Sequence, residues 1–520
     1  MSLAATFSKM LSRRAAAPDR ADAFAELVRV WRQRCAEFPV SVALRAGGRR
    51  HAVLVTPWLG TAASFFNMEV ARMLAAEGED VRVIFDPCDV FGNAPVRHEV
   101  EGLERAVRAL PPEMPVVRVD EKSVADEAPG DEELARRIIF ENGIWRTRGE
   151  SRAAHFVERK EASVARLRAH VARVRQLVAA SGLEWLLIPG GIWGVSGVYA
   201  AAASAAGAHF TTYDSGKRAI VTCQDGIATH QSDIPRAFPR AMTALAARPG
   251  QRERIIEWSR GELRERMQGR GNYTSFQKQA ATGRTEGDAN VFVPLNLRWD
   301  SAALSRTRLF ATVEEWITAI VSWAATEPEA RVCIRQHPAE RNKAVASTDD
   351  IGALVRRINS AGDRVRFVAA DSPVNSYDLL PSARVVLPFT SSMGMEAPML
   401  GIPVVTSALN YYDSFDFVAR AESISQYFDL AARAIRGELP VASAARENAA
   451  LIYYLTQHCN FMLTLFTAEA AEFLEWAKLP PAELWTRPDT HDFKRAILTG
   501  EPLASIRFAR FLSEESPDAG

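Results

Sequence analysis

An α/β protein made of two doubly wound units with helical extensions is what this sequence predicts, and three observations predict it. Short β-branched runs alternate with helix-forming stretches: Ala52 to Val55 and Val81 to Phe85 flank one helical pattern, Trp185 to Ile188 and His209 to Tyr213 another. The same alternation starts afresh at Asn290 and runs to Val405. Finally, 520 residues exceed what one ordinary core uses, so the two runs read as two domains.

Composition narrows the class. Lys plus Arg and Asp plus Glu both number 63 and are scattered, which argues against a nucleic-acid partner and against an acidic solvating tail. Cys35, Cys88, Cys223, Cys333 and Cys459 lie far apart without Cys-x-x-Cys spacing, so neither a disulfide framework nor a zinc site is expected, and a reducing, cytoplasmic compartment is. No run approaches the roughly 18 apolar residues that cross a bilayer. Met1 to Ala17 carries Lys9, Arg13 and Arg14 beside Phe7, Met10 and Leu11, without a signal peptide's apolar stretch and cleavage site. It reads either as a frayed terminus or as an amphipathic foot, and the second would bring peripheral association with the inner face of a membrane.

In order, residues 1–40 form an N-terminal helical segment, in which Phe24, Leu27, Val28 and Trp31 are spaced for one helix face. Residues 41–235 make the first domain: strand 51–58, a helix from about Ser64 to Ala76 closed by Gly78, strand 81–85, a charged helical insertion at about 100–180, then strand, small-residue helix and strand up to Asp214-Ser215-Gly216. Residues 236–285 are rich in arginine and read as a helical connector with a Gly-Arg-Gly-Asn turn at 269–272. The second domain, 286–435, alternates strand 290–295, helix 313–324, strand 331–335, helix 350–358, strand 365–369, short helix 376–380 and strand 385–387. Residues 436–520 read as C-terminal helices and tail, with Pro480-Pro481 ending a helical region that begins at Ser423.

The stretch from Arg384 to Val405 carries the strongest chemical signal. A strand ends in Thr390, Ser391 and Ser392; a short helix beginning Met393-Gly394 follows, with Glu396 one turn in. Hydroxyls and backbone amides at a helix N-terminus suit phosphate oxygens, and a carboxylate one turn on suits sugar hydroxyls. Capping of a core helix by the serines explains the same residues. After another strand come Arg335-Gln336-His337-Pro338; proline suits a first helical position, leaving His337 at a strand's carboxyl end, where its imidazole can donate to a phosphate beside Arg335. Asp300 follows the strand that begins the second domain, placed to act as base, nucleophile or electrostatic partner, or simply as a helix cap. In the first domain, Gly190-Gly191 and Asp214 are close-approach loops that can face an acceptor.

These residues resemble a family. Glu396-Ala397-x-x-x-Gly401-x-Pro403-Val404-Val405 with two Rossmann-like domains is similar to the GT-B glycosyltransferases, whose parallel sheets face a cleft and whose equivalent glutamate holds the donor's ribose. More closely, Asn375 to Leu380, Thr390 to Ala397 and Arg335-x-His337-Pro338 resemble the capsule polysaccharide synthesis proteins that include the bacterial β-Kdo transferases. Tyr213-Asp214-Ser215-Gly216 resembles that family's acidic-x-Gly signature, and Asn296-x-x-x-Asp300 its Q-x-x-x-D motif, with Asn296 standing for Gln and Arg335 for Lys of K-x-H-P.

The resemblance implies a nucleotide-sugar donor, CMP- or UDP-linked, held by Asn296, Arg335, Pro338, Thr390, Ser391, Ser392, Met393, Gly394 and Glu396. Asp300 and His337 would be catalytic, with a glycan or glycolipid acceptor approaching from Gly190, Gly191 and Asp214. The sugar would be Kdo or a related acidic sugar. Neither a cofactor nor a metal is expected at such a site. UDP-sugar 2-epimerases and polyol-phosphate transferases share the two-domain plan and stay open as alternatives, as does a non-catalytic carbohydrate-binding assembly subunit.

Overall fold

The computed structural model describes residues 17–42, 44–45, 47–58, 61–88, 97–120, 122–123, 125–158, 161–270 and 287–514. The proposed foot at Met1 to Ala17, all but its last residue, therefore lies outside the described residues, as do Gly60 and the end of the connector from 271 to 286.

The first sheet holds β1 (Arg50–Val55), β2 (Asp80–Phe85), β3 (Val116–Arg118), β4 (Trp185–Pro189), β5 (His209–Gly216) and β6 (Ala219–Gln224). Its parallel strands run in the order β3-β2-β1-β4-β5, with β6 antiparallel on the β5 edge. Strand order therefore reverses between β1 and β4, and ligands of doubly wound sheets settle at the carboxyl ends of such a pair. β1 and β4 are buried along nearly their whole length, which is why they read as continuous apolar runs rather than alternating ones. Between β3 and β4 lie helices Asp131–Thr147, Glu150–Glu158 and Glu161–Ser181. β3 itself has three residues, half exposed or exposed and too few to leave a periodic signal.

The second sheet holds β7 (Val291–Pro294), β8 (Val332–Arg335), β9 (Val365–Val368) and β10 (Val385–Val386) in the order β10-β7-β8-β9, all parallel. A bridge between Val386 and Val404 and the Val386 N–H on the Pro403 carbonyl (2.9 Å) extend it to the parallel pair β11 (Val405–Thr406) and β12 (Ala419–Arg420). Counted within the domain, the order is 3-2-1-4-5-6, the dinucleotide-fold arrangement, with its switch point between β7 and β10. β8 and β10, whose turns carry His337 and Thr390 to Ser392, are thus not adjacent; β7 stands between them.

The chain then returns to the first domain. Helices Ile424–Ile435 and Ser443–Tyr454 lead into a π-helical turn, Leu455–Asn460, and β13 (Met462–Leu463) pairs antiparallel with β6. This strand interrupts the continuous helix expected up to residue 478. Beyond it, Phe466, Phe473, Trp476, Leu484, Phe493 and Ile497 enter the first domain's core beside Phe65 and Phe66. Arg34 of the N-terminal helix Ala17–Glu37 fixes the same region, donating to Glu69 (2.5 Å) and to the Ala477 and Leu479 carbonyls. Arg72 and the Trp485 indole also donate to Glu69, so this carboxylate is fully paired in a dry environment, the condition under which a buried ion pair is tolerated.

Candidate functional site

At the switch point of the second sheet the two flanking loops are joined directly. The Thr390 N–H donates to the Asn296 side-chain carbonyl (3.1 Å), tying the loop after β10 to the loop after β7. A narrow cavity is lined by residues of three loops, Asn296 and Arg298 after β7, Gln336 and Glu340 after β8, and Phe389 after β10. The strand-end loops that carry Asp300, His337 and Ser392 therefore share one edge of one sheet.

His337 caps the 3-10 turn Pro338–Arg341, its Nδ1 accepting from the Ala339 N–H (3.2 Å). That bond fixes the tautomer with hydrogen on Nε2. Burial, then the charges of Arg335 and Arg266, lower its pKa to about 4, so the ring is a neutral donor at physiological pH. Pro338 holds the first position of the turn, as the sequence suggested. Arg335 points elsewhere than the phosphate role asks: its guanidinium donates to the carbonyls of Val368, Ala369 and Val374, bracing the loop after β9.

The turn at 390–394 is built largely from its own contacts. Ser391 Oγ accepts from the Met393 N–H (3.3 Å), and the Ser391 carbonyl accepts from the Tyr412 hydroxyl (2.8 Å). Ser392 is the N-cap of helix Met393–Met399 without a side-chain cap bond, Met393 is buried, and Thr390 Oγ1 is buried without a partner. Gly394 is there for packing: a Cβ on it would stand 2.4 Å from the Tyr412 ring. Glu396 is fully buried, accepting from the Tyr377 hydroxyl (3.0 Å) and pairing with Arg266 (3.3 Å) of the connector helix Pro249–Met267. It is shielded from solvent, and the connector occupies its carboxylate.

The first domain brings its own switch-point loops to the cleft. Gly190 and Gly191 follow β4 with φ of +68° and +88°. A Cβ on Gly191 would stand 2.7 Å from Thr212, so that turn requires glycine for space as well as backbone. Asp214, on β5, is where the two domains meet chemically. Burial first, then the negative charge of Asp300, raise its pKa to about 7, while the Ser215 amide and the nearby Ser301 hydroxyl oppose the rise. Asp300 is likewise raised by burial, and it accepts from the Ala302 N–H (3.1 Å) and the Ser301 hydroxyl (3.3 Å). Asp300 bonds within its own turn, but residues 301–305 form turns and the next helix, Val313–Thr326, is capped by Thr312, so the helix cap expected at Asp300 is not formed. A second carboxylate, Asp214, comes from the other domain.

The loop bearing Asp300 is held from both sides. His230, after β6, donates from Nε2 to the Ser301 carbonyl (3.0 Å); burial lowers its pKa to about 3 and keeps it neutral. Arg298, buried, pairs with Glu150 of the first domain's insertion (2.5 Å) and with Asp349 (3.1 Å). The backbone N–H of Glu150 also donates to Asp349 (2.6 Å), and Thr348 donates to the Arg148 and Thr147 carbonyls. Leu297, Trp299 and Leu304 pack with Ile144, Ala153 and Ile192 in one apolar cluster that crosses the domain boundary.

Several of these residues escape sequence reasoning. Arg298 sits inside Asn296-x-x-x-Asp300, where the spacing of the outer pair says nothing of its partner 148 positions earlier. Glu469 comes near Asp214 only because β13 returns the chain: burial first, then Glu472 and Asp214, raise its pKa to about 7. Among the described residues the metal-capable group is Asp86, Cys88 and His170, in the first domain and not among the site residues above.

Residues 248–423 match the family described as "Capsule polysaccharide biosynthesis protein". That stretch contains Asn296, Asp300, His337 and Thr390 to Glu396, and with them every strand of the second sheet. Protein FixF of Sinorhizobium fredii (strain NBRC 101917 / NGR234) is 27% identical over 169 residues, 32% of this chain. The chain spans 38% of the length of that relative. Among solved structures, the beta Kdo 2,7 transferase of Thermosulfurimonas dismutans KpsC is similar at 14% identity, TM-score 0.30, over 54% of this chain and 79% of that one. The beta Kdo 2,4 transferase of the same protein is similar at 13% identity, TM-score 0.32, over 52% and 79%.

Proposed function

We propose that the chain is a glycosyltransferase that moves a sugar, Kdo or a related acidic sugar, from a nucleotide donor to a surface polysaccharide or glycolipid acceptor. The observation that carries this is the meeting of two carboxyl edges: the loop of Asp300 is held by His230 of the first domain (3.0 Å to the Ser301 carbonyl) and packs on Ile144 and Ile192, which brings Asp300 toward Asp214 on the other sheet. The donor lies on the second domain at the β7/β10 switch point, its phosphate accepting from His337 Nε2–H, so that charge growing on the leaving group meets a preoriented donor.

The acceptor enters from Gly190 and Gly191, and its hydroxyl gives its proton to Asp214, whose pKa near 7 suits a base that must also return it. Asp300, nearer the donor loops, meets the positive charge that develops on the sugar. Glu396 contributes by anchoring the connector through Arg266, and it reaches the ribose only if that pair opens.

Incubating the purified chain with CMP- and UDP-sugars, with and without an oligosaccharide acceptor, and following free nucleotide tests the reading. Nucleotide release that rises with acceptor supports it. Tight donor binding with no release under any acceptor would instead mark a binding subunit.

A further inference from the structure

Asp86 and Cys88 leave the carboxyl end of β2, and His170 comes from the middle of helix Glu161–Ser181. One ligand atom from each lies within 4.8 Å of the other two, and exposures are 0% for Asp86, 8% for Cys88 and 0% for His170. We propose that these three side chains hold a structural divalent metal of the zinc type.

Three features point there. Nδ1 of the buried His170 ring lacks a hydrogen-bond partner, and Nε2 lies 3.0 Å from Asp86 Oδ2, so the ring already faces the carboxylate. A buried imidazole left so costs free energy that coordination would return. The donor set is one carboxylate oxygen, one sulfur and one imidazole nitrogen, which suits zinc and not magnesium or calcium. Finally, Asp86 is oriented as metal-bound carboxylates are: Tyr199 donates to Oδ2 (3.0 Å) and the Cys88 N–H to Oδ1 (3.0 Å), an outer layer that fixes the ligand.

The charge also balances. Binding releases the Cys88 thiol proton to solvent and forms one metal–sulfur bond; thiolate and carboxylate then neutralise the dication in a dry setting. The metal would pin β2 to the insertion whose neighbouring corner, Arg148 to Ser151, grips the second domain.

The test is metal content of the full chain purified after zinc saturation, with cobalt substitution as a spectroscopic readout. About one equivalent per chain, a thiolate-to-cobalt charge-transfer band, and loss of both in Cys88→Ser and His170→Ala are expected. Zinc-saturated wild type holding under about a tenth of an equivalent would overturn the site, as would full metal retention in Cys88→Ser. Serine is nearly the size of cysteine, so that variant carries the test if His170→Ala does not fold.

Discussion

Replacing Asp300 by Asn should lower the pKa of Asp214. Asp214 rises from an ordinary 3.8 to about 7, and of the two raising causes burial is larger than the field of Asp300. Removing one negative charge while keeping shape and hydrogen bonds should bring Asp214 down by about one unit, or ~1.4 kcal/mol in favour of its charged form. Carbon-detected NMR of labelled aspartate, titrated from about pH 4 to about pH 9 in both proteins, reads this directly without requiring turnover. If Asp214 titrates at the same pH in both, the two carboxylates do not share a field and the cleft does not assemble a catalytic pair.

Other consequences follow from the same contacts. His337→Ala should lower kcat/KM for nucleotide-sugar turnover by about ten- to a thousandfold, and an unchanged value would remove His337 from the site. Arg298→Ala leaves the half-buried Glu150 and Asp349 without their cation, so urea unfolding should show a loss of about 2 kcal/mol. Gly394→Ala drives a methyl into the Tyr412 ring and should cost about 1–3 kcal/mol, seen as a lowered melting temperature. Between pH 3.8 and about 7 the folded chain keeps on Asp214 a proton that the unfolded chain has released. Asp214 therefore subtracts stability as pH rises through that window, and in urea titrations Asp214→Asn should gain on the wild type toward alkaline pH.

Much of the second domain was readable because each of its strands is a short apolar run followed by a turn residue with a known preference. Pro338 announces a helical first position, and His337 falls at the N-cap as a result. What periodicity cannot convey is which partners a folded chain supplies from elsewhere. Glu396 reads as a first-turn acid awaiting sugar hydroxyls, yet Arg266 of the connector and Tyr377 claim it, and the connector's composition advertised no such contact. Gly394 reads as a phosphate-turn glycine, whereas Tyr412, 18 positions later, fills the space its missing side chain leaves.

The first domain was readable in its strands and obscure at its edge. β6 and β13 pair with each other across more than two hundred residues of chain, and β13 is two residues long, below the reach of any alternation pattern. The tail that follows carries Trp476, Phe493 and Ile497 into the core, but its helices are short and two of them start at proline, so their apolar faces never repeat often enough to announce themselves. The same limit hides Asp86, Cys88 and His170, whose spacing follows no metal motif and whose proximity is made by a helix crossing the end of β2.

The most direct test of transfer at the domain boundary is a single comparison of acceptor-dependent nucleotide release by the wild-type chain and by Asp300→Asn, at saturating donor and with matched folding by circular dichroism. The proposed chemistry predicts a fall of at least about a hundredfold in kcat for the variant, with donor affinity kept. Equal rates in the two proteins would contradict it, because a sugar would then be moving without the carboxylate on which the site is centred.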